Sequence, residues 1–174
     1  MIIATQKRQQ NIAEYILYMW QLEDMIRAVK FDVSQIVSQY NYPEEIMKDI
    51  TAWYEQLAAA MKSEGIEKKG HLRQLQELII ELSELNISLL QNPSEKEYQE
   101  LFNNALPHIA EIISKSDKTI KNEIEACLTG LYGMLLLRLQ QKDISKDTHV
   151  ATTSFSCLLA ILSKKFHELE KGNP

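Results

Sequence analysis

Apolar positions along this chain recur at steps of three and four from end to end, and no segment sustains the alternation a strand requires. Tyr15, Met19, Leu22, Ile26 and Val29 form the first stripe, and Ile12, Ile16, Leu17 and Trp20 widen it until most of the circumference is apolar. Such a helix belongs in the middle of a bundle. A short helix is predicted over 33–40. Asn41-Tyr42-Pro43-Glu44 then supplies a cap, an early proline and a first-turn carboxylate for a helix carrying Ile46, Ile50, Trp53, Leu57 and Ala60. Lys62 to Gly70 reads as the loosest linker. Leu72, Leu75, Ile79, Leu82, Leu85 and Leu89 mark a long amphipathic helix ended by Asn92-Pro93, because proline cannot continue the hydrogen-bond ladder. Ser94 and Glu97 have capping-box spacing, and Tyr98, Phe102, Ala105, Ile109 and Ile112 run on across Pro107, which predicts one kinked helix. After Ser116-Asp117, a further segment carries Ile120, Ile124, Cys127, Leu131 and Met134. The last carries Phe155, Leu158, Leu162, Phe166 and Leu169 and frays into Lys171-Gly172-Asn173-Pro174.

The expected fold is all-α: a single domain over residues 1–174, an up-and-down helical bundle of six or seven helices with one kinked at Pro107. Length and composition agree, since 174 residues at 45% apolar and 25% charged are enough for one real core. The net charge of −5, with no basic run longer than a pair such as Lys68-Lys69, leaves nucleic acid without an electrostatic footprint. The most apolar window, Ala126 to Leu139, falls short of the roughly 20 residues that span a bilayer, so it reads as a core helix and no membrane partner is expected. Ile2-Ile3-Ala4 precedes Lys7-Arg8 and a polar run, which is not a secretory leader, and Cys127 and Cys157 read as reduced, buried thiols. Both point to the cytoplasm.

Candidate chemistry is sparse. Glu14, Glu23, Asp24 and Arg27 place three carboxylates and a guanidinium on an otherwise apolar helix, with Glu23 and Asp24 spaced to share Arg27 across one turn. The two readings are an ion pair that fixes packing and a polar pocket for a small ligand. No metal is expected: His108 and Glu111 hold a lone i, i+3 interval, and His71, His149 and His167 read as solvated or capping imidazoles. The hydroxyls of Thr148, Thr152, Thr153, Ser154 and Ser156 near His149 lack any nucleophile motif, so no catalytic residue and no cofactor is assigned. Ala126, Gly130 and Gly133 form a close-packing strip, expected to receive Trp20 or Trp53. Tyr40 and Tyr42, in a turn, are the candidate interface residues.

Ile2-Ile3-Ala4, Lys7-Arg8, Asn11-Ile12-Ala13-Glu14-Tyr15, Met19-Trp20-Gln21-Leu22-Glu23-Asp24, Gly130-Leu131-Tyr132-Gly133 and Leu137-Arg138-Leu139 together resemble an uncharacterised family of bacterial proteins of about this size, over the whole chain. The resemblance implies a stand-alone cytoplasmic helical domain of unknown function and brings no catalytic or binding residue with it. The expectation is therefore a non-enzymatic protein-interaction or assembly module, a homodimer among its forms. The alternative is a small-molecule-binding bundle with its pocket around Glu23, Asp24 and Arg27.

Overall fold

Asn11 decides the first architectural event. Its extended backbone breaks the helical run, and its side chain accepts from the Glu14 amide at 3.0 Å to cap the helix beginning at Ile12. The N-terminal stretch thus becomes a helix of its own, and the computed structural model, which describes residues 2–116 and 119–172, contains eight helices among them where six or seven were expected. They are α1 (Ile2–Gln10), α2 (Ile12–Ala28), α3 (Ser34–Val37), α4 (Glu44–Ser63), α5 (Arg73–Gln91), α6 (Lys96–Lys115), α7 (Glu123–Leu139) and α8 (Lys146–Glu170). No strand occurs among the described residues, and no helix is long and apolar enough to cross a membrane. Asp117 in the break before α7, and the tail residues Asn173 and Pro174, lie outside the described residues.

Contacts divide the chain into two compact units, one up to Glu77 and one from Leu78 onward, with the boundary inside α5. In the first unit α1 packs on α2, and α2 and α3 pack on α4. Its core takes Ile12, Ile16, Met19, Trp20, Leu22 and Ile26 from α2, with Ile50, Tyr54, Leu57 and Met61 from α4. This is the wide apolar stripe of α2 put to use. The end of α2 is less expected: Lys30 and Phe31 both take positive φ, 51° and 66°, and the Phe31 amide donates back to Ile26 O at 2.9 Å. Glycine is the usual occupant of such a position. The start of α4 also departs from expectation, because Pro43 is the cap itself and Asn41 makes no side-chain cap bond there.

In the second unit α6, α7 and α8 pack pairwise around Tyr98, Phe102, Ile109, Ile124, Cys127, Phe155, Leu158 and Leu162. Pro107 lies inside α6 as one continuous helix, on an exposed position where water can serve the Asn103 carbonyl that loses its amide donor. The expected capping box does not form. Glu95 is the cap residue of α6 without a side-chain bond, and Ser94 instead donates its amide to Asn92 Oδ1 at 3.0 Å. Two further expectations are corrected. Cys127 is buried but Cys157 is exposed. The window read as a core helix is core only to Leu128: Leu131 to Leu137 are half-exposed and Leu139 is 68% exposed, because α6 and α8 cover one side of α7 and leave its C-terminal half open.

Candidate functional site

The polar residues of α2 go to separate partners. Glu14 turns back across the Asn11 break to Lys7, 3.0 Å away and largely in solvent. Asp24 meets Arg27 at 2.7 Å. Glu23 leaves Arg27 alone: fully buried, its carboxylate accepts from His71 Nδ1 at 2.6 Å and from the Leu72 amide at 3.0 Å. A buried carboxylate survives when such donors replace water. His71 is therefore no solvated imidazole. Its ring lies flat on Trp20, centroids 4.2 Å apart, with the Glu23 carboxylate at its edge. Arg27 completes the arrangement by donating from Nε to Ile66 O at 3.2 Å and from Nη2 to Gly70 O.

These contacts have one geometric result. The linker between α4 and α5 is tied to α2 at Ile66, Gly70, His71 and Leu72, and the Leu72 amide, one of the orphan donors at the start of α5, is satisfied by Glu23. The Arg73 amide closes the same turn onto Glu64 at 2.7 Å. Both Glu23 oxygens and all three Arg27 nitrogens are engaged by protein groups. A polar cavity of about 510 Å³ opens beside His71, lined by Ser63, Glu64, Ile66, Arg73 and Gln76.

Elsewhere the candidates resolve into packing. Gly130 lies against Phe155 of α8, so close that a Cβ there would stand 2.6 Å from Cε2; Phe155 fills the place expected of Trp20 or Trp53. Ala126 is fully buried, whereas Gly133 faces open space. Glu111 pairs with Lys115 at 2.5 Å while His108 sets its ring edge-on to Phe155. No group of three His, Cys, Asp or Glu among the described residues could hold a metal. The hydroxyls of Thr152, Thr153 and Ser154 donate to carbonyls of their own helix.

Tyr40 and Tyr42 part company. Tyr40 is half-buried, its hydroxyl 2.9 Å from that of Tyr54, whose own ionisation is pushed far up by burial and by that hydrogen bond. Tyr42 is 54% exposed and stands at the rim of a groove of about 800 Å³ between α1 and α4. Ile3, Ile46, Ile50 and Trp53 line the groove, and Asp49 is its one charged lining residue. Sequence reasoning placed Ile46, Ile50 and Trp53 on an inward stripe. The groove exists because α1 is a separate helix, which the Asn11 cap could have signalled.

Residues 1–173 match a family model described as Domain of unknown function (DUF4924), and the chain belongs to that family. No curated protein and no solved structure matches it.

Proposed function

We propose that this member of the DUF4924 family is a non-enzymatic protein-interaction module that works in the cytoplasm and docks its partner in the α1–α4 groove. One observation carries the reading: an open apolar groove of about 800 Å³ in which Ile3, Tyr42 and Ile46 are each more than two-fifths exposed. Large side chains gathered in one concavity mark binding surfaces, and helix-in-groove recognition uses such a trough. The polar cluster, the other candidate, spends its donors and acceptors on protein groups: Glu14 on Lys7, Asp24 on Arg27, and Glu23 and Arg27 on the linker. Two cysteines carried as free thiols suit a reducing compartment; burial, and then the Glu123 charge, push the Cys127 thiol up to about 12, so it stays protonated and inert.

The experiment is site-specific photo-crosslinking in cells with Tyr42→benzoylphenylalanine, beside a control at exposed Glu81. A discrete polypeptide adduct from position 42 alone is expected. No position-specific polypeptide adduct would overturn the reading. A second reading, a small apolar ligand in the same groove, is favoured by the volume, which lies within the range of ligand pockets, and predicts an adduct of small mass instead.

A further inference from the structure

We infer that the groove's occupant is the C-terminal half of α7 from a second copy of this chain, so that the protein self-associates helix into groove. The inference rests on the interaction reading above and names the partner. It starts from a mismatch within α7. Ala126 to Leu137 contains no charged residue, and a helix apolar all round is ordinarily buried. Yet everything from Leu131 onward is half-exposed or exposed, ending at Leu139 with 68% of its surface in water. Leu131, Leu135 and Leu139 lie four residues apart, one continuous stripe of the kind that seats a helix in a groove.

The dimensions agree. Leu131 to Leu139 covers about 12 Å of helix axis, and the groove wall from Ile46 to Gln56 about 15 Å, at 1.5 Å per residue. The charges agree as well. Asp49 is exposed, Arg138 is exposed beside Leu139, and neither has an ion-pair partner among the described residues. An acid in the trough and a base beside the apolar stripe are complementary, and complementary charge fixes register and partner choice more than it adds affinity. A second copy fits better than an unrelated helix because both halves of the match belong to this sequence. One helix face in one groove is small against the roughly 1,600 Å² of a standard interface, and reciprocal exchange between two copies doubles the contact.

The test is the oligomeric state of the full chain, by light scattering after gel filtration and by native mass spectrometry. Wild type is expected to be dimeric. Asp49→Arg and Arg138→Asp are each expected to weaken association by about tenfold or more, and the two combined to restore it. Both positions are exposed, so helical content by circular dichroism stays at the wild-type level in all three variants. A monomeric wild type overturns the inference. So does a dimer indifferent to Asp49, as α7 pairing with α7 would give, or one weakened by each change and left weak by both. If Tyr42→benzoylphenylalanine captures a different polypeptide, this inference falls and the interaction reading stands. If it captures none, the reading itself falls.

Discussion

Glu23 illustrates how much one buried carboxylate organises. Removing it leaves the buried Leu72 amide and the half-buried His71 Nδ1 without their acceptor, and each hydrogen bond to a charged group is worth about 1.5–3 kcal/mol. Glu23→Ala should therefore lower stability by about 3 kcal/mol, read as a drop in the urea midpoint at unchanged slope. A loss under about 0.5 kcal/mol would mean that the buried pair is no anchor. Gly130 and Gly133 make an internal comparison. Gly130→Ala forces its methyl into the enclosed Phe155 ring and should cost about 1–3 kcal/mol, whereas Gly133→Ala meets nothing within 4 Å and should gain up to about 1 kcal/mol from helix propensity. Thermal melts of the two variants should move in opposite directions. At this scale the sequence was legible only in part. Glu23, Asp24 and Arg27 stood out as charges on an apolar helix, and so did Gly130 as a small residue within one. Their partners did not, because His71 lies 48 residues from Glu23 and Phe155 sits a helix away from Gly130, distances over which no local spacing rule operates.

Helix identity was the most legible level, since the apolar period of each long helix is the same quantity that its packing consumes. Boundaries were read best where a side chain makes the stop, as at Asn92-Pro93, and worst where the backbone does. Lys30 and Phe31 end α2 in left-handed conformations without a glycine to announce them, and α1 was merged into a polar run because the residue that separates it from α2, Asn11, caps the following helix. Pro107 shows what an element tolerates. Its ring sits on the exposed side of α6, where solvent has access to the Asn103 carbonyl that lost its donor, and the helix continues. Pro107→Ala restores the bond to Asn103 and removes the ring clash, which should raise the melting temperature by an amount equivalent to about 1–3 kcal/mol. An unchanged melting temperature would show that Pro107 costs α6 nothing at this position.

For the molecule, the all-α class followed from periodicity alone, while surface character did not. Ile46 and Trp53 repeat as core residues do, and only the placement of α1 turns their face into a groove. Likewise the apolar window of α7 reads as core, and only its neighbours' reach decides that half of it is left open. Both surfaces share one physical property: apolar area that a single chain leaves in water, which the proposed self-association would cover as concentration rises. The measurement that tests this most directly is hydrogen exchange read by mass spectrometry across a range of protein concentrations. Amides of α4 from Ile46 to Gln56 and of α7 from Leu131 to Leu139 should exchange more slowly as concentration rises, with the clamped linker from Glu64 to Leu72 unchanged. Exchange rates independent of concentration in both segments would contradict the account.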